Sequence, residues 1–393
     1  MPRITNRRRC MEDFSFSFSD DQMMDLALRL GRRCAGATAE NPAVGCVITA
    51  ASGGRTTIVG RGWTQQGGRP HAERVALAEA GDLARGATAY VTLEPCSHHG
   101  KSPPCAEALI EAGIARVVCA HADPDRRVAG RGFEMLRKAG IAVETGLLEA
   151  RAHRHLSGFL SRTVRGRPWL QAKMAFSPDG MIGKIGVGNY PVTGPEAKAR
   201  TYGLRMKADA ILVGADTVLF DDPTLTVRLP GLEASSPVRV VLDGRGRVPL
   251  DAQLVKSAAA VPTWVVTAIS APEDWCNEME ARGCTVLRVK ATAAGHVDLL
   301  AAFEALAARG INTIFAECGA ALSRALLEGG LIDEFFLYRS TTPIGADGLV
   351  ALSGEPEAAL ASAGFKFETS HRLGQDTLKT FIRSASLKSL YGG

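Results

Sequence analysis

The chain lacks several features that would each have fixed its class. It has no run of about 20 apolar residues to span a bilayer, and no apolar core behind its basic N-terminus, so neither a membrane protein nor a secreted one is expected. Its nine cysteines (10, 34, 46, 96, 105, 119, 276, 284 and 318) are odd in number and scattered. That argues against a disulfide framework and for a reducing, cytoplasmic setting. No G-x-G-x-x-G follows a strand-like run, so a dinucleotide-binding Rossmann unit has no support. Excess positive charge is scarce too: Arg3, Arg7, Arg8 and Arg9 supply four of the five net charges. The remaining body is near neutral and offers no extended surface for nucleic acid. Residues 1–19 read as a disordered tail. With 393 residues, 46% of them hydrophobic and 22% charged, the rest has ample material for two or three soluble domains.

One stretch carries chemistry. His71-Ala72-Glu73 is followed by Glu94-Pro95-Cys96-Ser97-His98-His99-Gly100-Lys101-Ser102-Pro103-Pro104-Cys105. A catalytic zinc site wants three Cys or His ligands and one position left for water. His71, Cys96 and Cys105 fill the ligand set, and Glu73 is left over as proton carrier, the arrangement of zinc deaminases. Two thiolates and a neutral imidazole nearly cancel the zinc charge, so the metal acidifies its water less than an all-imidazole site would. A carboxylate at Glu73 then assists by moving the proton. Each thiol follows proline and is placed like the opening of a helix, where backbone N–H groups lower a thiol pKa.

Along the chain, Asp20-Asp21 are expected to cap a helix through Leu30, and a hairpin follows over 44–60. Regular alternation comes next: helix 71–80, strand 87–93, helix 104–112, strand 115–119, helix 132–139, strand 141–144. This predicts an α/β/α domain over 20–150. The polar stretch 151–168 is expected to be a linker, with His153 and His155 exposed on it. A second α/β domain is predicted over 169–393, with strands at 169–175, 209–213, 238–242, 263–267, 285–289, 311–316, 334–338 and 378–382. Two features stand out there. Glu317-Cys318-Gly319-Ala320-Ala321 opens a helix directly after a strand, a ready site for pyrophosphate. Residues 213–228, tethered by Asp221, Asp222 and Pro223, form a long polar loop.

These residues resemble a family. His71-Ala72-Glu73 with T-L-E-P-C-S-H-H-G-K-S-P-P-C, V-A-G-R-G (128–132) and A-D-T-V-L-x-D-D-P-x-L-T-V-R is similar to the bifunctional riboflavin-biosynthesis deaminase–reductases, over roughly residues 20–385. The eight residues between Cys96 and Cys105 set it apart from cytidine and tRNA-adenosine deaminases, which usually show C-x-x-C. The resemblance implies a cytidine-deaminase-like α/β/α domain followed by a dihydrofolate-reductase-like α/β domain. It implies hydrolytic deamination of 2,5-diamino-6-(5-phosphoribosylamino)pyrimidin-4-one with one zinc ion per chain, then NADPH-dependent reduction of the ribosyl group to ribityl. The family's substrate positions fall on Asn41, Lys101 and Asp123 in the first domain and on Asn189, Arg205, Leu225, Arg228 and Glu317 in the second. Arg205 and Arg228 form the natural phosphate clamp. Its cofactor positions fall on Ala175, Pro191, Thr217, Asp221, Gly244, Gly319, Ala320, Ala321, Leu322, Ser323, Arg324 and Ala325. The sequence departs from the family at Asp125, where Asn is common, and at Pro191-Val192-Thr193, where Trp-Ile-Thr or Trp-Ile-Ser is usual. A homo-oligomer is implied, with no nucleic-acid or membrane partner. Two rival readings remain at this stage. One is a nucleoside or tRNA deaminase whose residues 169–393 bind nucleic acid; the other is a structural zinc protein, which would need a fourth ligand.

Overall fold

Ser19, not the expected aspartates, starts the first helix. In the computed structural model its hydroxyl accepts the Gln22 backbone N–H (3.3 Å), while the Gln22 side-chain oxygen accepts the Ser19 N–H (3.0 Å). This is a reciprocal capping box, and helix α1 (Asp20–Gly31) follows it. The structure describes residues 18–52, 55–100, 103–125, 128–352 and 354–390. They divide into two units. The first takes residues 18–31, Val44–Trp63 and Pro70–Ala152; the second takes Arg32–Ala43, Thr64–Arg69 and residues 153–390.

The first unit is a five-stranded sheet. Its strands are β1 (Gly45–Ser52), β2 (Arg55–Trp63), β3 (Thr88–Val91), β4 (Arg116–Cys119) and β5 (Ala142–Thr145), ordered β2-β1-β3-β4-β5. The β1–β2 and β1–β3 pairs are antiparallel, the other two parallel. Strand alternation sorts the side chains. Val47, Tyr90 and Val118 pack with Met23, Met24, Ala27 and Leu28 of α1. Helices α2 (Ala72–Ala80), α3 (Cys105–Glu111) and α4 (Arg131–Lys138) complete the unit. Gly62 decides how closely α2 lies on β2: a Cβ there would sit 2.0 Å from the Ala72 carbonyl oxygen. That contact sets the first turn of α2, which bears Glu73.

The expected linker is a helix. α5 (Glu149–Arg165) covers most of 151–168, because Ala152, Leu156, Phe159 and Leu160 recur at helical spacing and are all buried. The two histidines are not exposed linker groups. His153 is 2% exposed, and the His155 Nε2–H donates to the Ala43 carbonyl at 2.6 Å.

The second unit is built on a nine-stranded sheet. Its strands are β6 (Trp169–Phe176), β8 (Ala210–Gly214), β9 (Val238–Leu242), β10 (Thr263–Ala268), β11 (Thr285–Val289), β12 (Thr313–Ala316), β13 (Glu334–Arg339), β15 (Phe365–Leu373) and β16 (Asp376–Arg383). A small ribbon pairs β7 (Met181–Lys184) with β14 (Gly348–Val350). Helices α6 (Pro195–Arg205), α7 (Ala215–Asp221), α8 (Gln253–Lys256), α9 (Glu273–Ala281), α10 (Leu299–Ala308), α11 (Ala320–Glu328), α12 (Pro356–Ser362) and α13 (Ser384–Lys388) join them. The stretch 213–228, expected as one loop, is instead the end of β8, then helix α7, and is loop only from Asp222 onward. Strand order is β11-β10-β9-β8-β12-β6-β13-β16-β15, parallel from β11 to β13 and antiparallel beyond. From β8 the chain steps outward to β9; from β12, its neighbour, it steps the other way to β13. The crevice past the carboxyl ends of β8 and β12 is thus the topological switch point of the sheet, where such folds bind ligands.

Asp333, fully buried ahead of β13, locks the base of this sheet. It accepts from Arg165 (2.9 Å), twice from Arg167 (2.8 Å each), from the Leu170 N–H (2.8 Å) and from Ser386 (2.6 Å). Removing the acid strands two guanidiniums without their counter-ion. Asp333→Ala should cost about 3–5 kcal/mol, seen in urea unfolding followed by the fluorescence of Trp169, Trp264 and Trp275.

Candidate active sites

Two helix starts and one loop meet in the first unit. His71 is the N-cap residue of α2, Cys105 is the first residue of α3, and Cys96 lies in the loop after β3. Cys96 does not open a helix as expected, yet its Sγ accepts the Cys105 N–H at 3.3 Å, so it borrows the N-terminus of α3. His71 Nδ1 lies 3.7 Å from Cys96 Sγ and 3.4 Å from Cys105 Sγ. The three ligand atoms all fall within 4.8 Å of one another. Their hydrogen bonding splits the thiols. Contact with Cys105, and then with His71, draws Cys96 down to about 4 against its burial, while Cys105 is raised. One sulfur is ready to bind a cation. One imidazole and two sulfurs, with no fourth ligating side chain among the described residues, suit a catalytic zinc ion rather than a closed structural one.

Glu73, buried in the first turn of α2, stays out of the ligand set. Burial first and the Cys96 charge second push its carboxyl up to about 7, against the pull of His71. A carboxyl so placed accepts and releases a proton near neutral pH.

Glu94 holds this loop by a device the motif alone did not reveal. Its buried carboxylate accepts four backbone N–H groups, from Asp123 (3.2 Å), Gly130 (3.0 Å), Gly132 (2.9 Å) and Phe133 (3.4 Å). The V-A-G-R-G run is explained by this clamp. Gly130 takes φ 87°, and a Cβ at Gly132 would sit 2.1 Å from the Pro95 carbonyl oxygen. Asp123, beside it, is raised to about 7 by burial. Two further polar atoms near the ligands, Ser97 Oγ and His98 Nδ1, are buried without a partner among the described residues. They are candidate substrate contacts; the only sequence signal was their place between two ligands. Lys101 lies outside the described residues, and Asn41 folds with the second unit.

The second unit gathers most of the expected reductase positions at its switch point. Ala175 ends β6, Gly244 follows β9, Thr217 lies on α7, and Glu317 and Gly319 follow β12. Gly319 caps α11 without a side-chain hydrogen bond, and Ala320–Ala325 form its first turns. Small residues and open N–H groups at that helix end suit a dinucleotide pyrophosphate. Asp221 accepts the Asn189 N–H at 2.7 Å, joining two expected residues. Asn189 and Leu225 hold φ of 49° and 53°, in the left-handed region that non-glycine residues seldom occupy. Pro191 is exposed and lines a groove with Tyr190, Thr341 and Asp376.

Arg205 does not stand free to meet phosphate as expected. Its guanidinium binds Glu317 through Nε (2.5 Å) and Nη2 (3.0 Å), and donates to the Thr226 carbonyl (2.8 Å). Burial opposes the Glu317 charge, but Arg205, with Lys173 and Arg228 adding, holds its carboxyl below the usual value. Lys173 went unnoticed in the sequence, though a lysine inside a strand of buried residues was the signal. Burial lowers its ammonium pKa while Glu317 opposes, and it lies 5.5 Å from the Tyr338 ring centroid. Arg228 is exposed, its guanidinium 5.3 Å from the Tyr202 ring centroid, with Arg205 5.2 Å from the same centroid.

Fold and sites together define a zinc-dependent hydrolytic deaminase joined to a pyridine-nucleotide reductase. Residues 18–121 match the cytidine and deoxycytidylate deaminase zinc-binding region, and residues 168–379 match the RibD C-terminal domain. The riboflavin biosynthesis protein RibD of Escherichia coli (strain K12) is 39% identical over 370 residues, covering 91% of this chain and 97% of that protein. Among solved structures, Acinetobacter baumannii RibD superposes with a TM-score of 0.81 at 35% identity, over 93% of this chain and 99% of that one. A diaminohydroxyphosphoribosylaminopyrimidine deaminase/5-amino-6-(5-phosphoribosylamino)uracil reductase from Thermotoga maritima gives 0.77 at 29% identity, over 93% and 98%. The chain belongs to the RibD family, the bifunctional deaminase–reductases of riboflavin biosynthesis, which use zinc and NADPH. The nucleic-acid deaminase reading is not favoured, since the residues it required as a binding module match a reductase.

Gly132→Ala tests the clamp. The added methyl must displace Pro95 and with it Cys96, so zinc affinity should fall roughly 10- to 100-fold, measured by competition with a chromophoric chelator.

Proposed function

We propose that the chain deaminates 2,5-diamino-6-(5-phosphoribosylamino)pyrimidin-4-one at His71, Cys96, Cys105 and Glu73, then reduces the ribosyl group of the product at the β8–β12 crevice. The observation that carries the first step is the three ligand atoms within 4.8 Å, with buried Glu73 outside the set. Zinc held there supplies Lewis-acid chemistry, lowering the pKa of a coordinated water. Glu73 would carry two protons in turn: the first from the attacking water to the ring nitrogen, the second from the resulting hydroxyl to the departing amine, so that the carbonyl forms and ammonia leaves neutral. Ser97, His98 and Asp123 orient the ring and its substituents, with Lys101 and Asn41 as further contacts by family position.

In the second step NADPH supplies the hydride. The start of α11, from Gly319 to Ala325, would hold the pyrophosphate, and Ala175, Pro191, Thr217, Asp221 and Gly244 would hold the rest of the cofactor. Asn189 and Leu225 face the substrate, and Glu317, kept ionised by Arg205 and Lys173, holds its hydroxyls. Of the two arginines expected as a clamp, exposed Arg228 is the one that meets the substrate phosphate. The deaminase half spans 20–150 and the reductase half 169–393. The setting proposed is cytoplasmic; among the described residues no helix is long and apolar enough to cross a membrane. A homo-oligomer that binds neither nucleic acid nor membrane completes the reading.

Glu73→Gln keeps the shape but cannot cycle a proton. Ammonia release should drop by roughly 100-fold or more, with zinc content by atomic absorption unchanged. Arg228→Ala should raise the KM of the reduction by roughly tenfold, the worth of a charged hydrogen bond. NADPH oxidation with the deaminated ribotide gives that value, and ammonia release serves as the unaffected control.

A further inference from the structure

Arg228 ends a loop, Asp222 to Arg228, that other parts of the second unit hold in place. Leu225 and Val227 are buried, while Arg228 is exposed. Two of the loop's carbonyls are held by arginines. Thr226 O accepts Arg205 Nη1 at 2.8 Å, and the same guanidinium grips Glu317 through Nε and Nη2, so the loop is tied directly to the crevice past β12. Thr224 O accepts Arg239 Nη1 at 3.2 Å. Arg239 is fully buried on β9 and is itself fixed by bonds to Ser257 Oγ (2.7 Å), Leu254 O (2.9 Å) and Val261 O (2.7 Å). Nearest to Arg228, the Val227 N–H donates to Ser236 Oγ at 3.0 Å, and that hydroxyl donates to the Glu233 carbonyl at 2.8 Å.

The Arg228 side chain has a support as well. Tyr202 and Arg205 stand three residues apart on α6, which makes them neighbours on the helix surface. The Tyr202 ring is buried, and its centroid lies 5.2 Å from the Arg205 guanidinium and 5.3 Å from that of Arg228. Both distances are within reach of a cation–π attraction. Glu317 offsets the charge of Arg205, which lets a second guanidinium approach the same ring. A free arginine loses much rotamer freedom when it binds an anion. A ring that steadies the guanidinium, and a loop that fixes the backbone beneath it, meet part of that loss before substrate arrives.

We infer that Tyr202 and Ser236 are positioning residues for the reduction, each acting through Arg228. The ring sets the guanidinium, and the Ser236 hydroxyl sets the main chain one residue before it. The inference rests on the reading of Arg228 as the contact for the substrate phosphate, and adds to it what aims that contact. Every residue it uses lies in the second unit.

The test uses the full chain. Tyr202→Leu removes the ring, Tyr202→Phe keeps it, Ser236→Ala removes the acceptor for Val227, and Arg228→Ala serves as reference. NADPH-dependent reduction of the deaminated ribotide gives KM and kcat, and ammonia release in the first reaction reports on the rest of the chain. Tyr202→Leu and Ser236→Ala should each raise the KM of reduction roughly fivefold, the worth of one cation–π contact or one hydrogen bond, with kcat and ammonia release as in the parent. Tyr202→Phe should match the parent. Adding Tyr202→Leu to Arg228→Ala should raise KM no further, because the ring has nothing left to aim. An unchanged KM in either Tyr202→Leu or Ser236→Ala, with Arg228→Ala impaired, would overturn the inference alone. So would losses that simply multiply in the double variant, or a Tyr202→Phe as impaired as Tyr202→Leu. A fall in kcat together with ammonia release would also overturn it, showing a general prop of the fold. An inert Arg228→Ala would remove the reading beneath it and the inference with it.

Discussion

The deaminase centre depends on a buried carboxylate that never touches the reaction. Glu94 gathers four main-chain N–H groups between Asp123 and Phe133, and so fixes the loop whose next residues are Pro95 and Cys96. Without that anchor the three ligand atoms would come from two helix starts and an unconstrained loop, and their spacing would drift. The same anchor presses Gly132 against Pro95, which leaves no room for a side chain there. Position and composition are coupled: the acid is useful only because the residues it binds can bring bare backbone to it.

The reductase crevice is arranged by topology more than by any one side chain. Inserting β12 between β8 and β6 makes the connections from β8 and β12 diverge, which opens the sheet at their carboxyl ends. Glu317 and the start of α11 then stand opposite Gly214 and α7 with no further device. Charge is settled locally. Glu317 is half-buried, and it stays ionised because Arg205 clasps it with two nitrogens while Lys173 and Arg228 add their fields. That engagement separates Arg205, clasped by Glu317, from exposed Arg228.

Much of this was legible before any coordinates. Zinc accepts few side-chain types, so His71, Cys96 and Cys105 announce themselves, and Glu73 follows as the acid that is not a ligand. Strand and helix periods were readable wherever one face is apolar. The misreadings share a cause. α5 hides its buried Ala152, Leu156, Phe159 and Leu160 among arginines and histidines, so composition suggested a linker. The Glu94 clamp is made with backbone N–H groups, which carry no side-chain signature. Arg205 was assigned to phosphate because nothing local shows that Glu317, 112 residues on, already holds it.

The assignment of chain segments to units does not follow chain order. Segments Arg32–Ala43 and Thr64–Arg69 precede or interrupt the deaminase sheet in sequence, yet they fold with the reductase. A loop has few apolar contacts of its own, and its carbonyls must find donors to be held in one conformation. Here the donors are Asn312, Arg162 and His155, provided by the start of β12 and by α5. A deaminase cut off near residue 150 would keep its zinc ligands and Glu73 but lose all three of these donors. The loop's conformation is thus fixed from within its own unit, by one helix and the residue before a central strand, because a short loop cannot generate that order for itself.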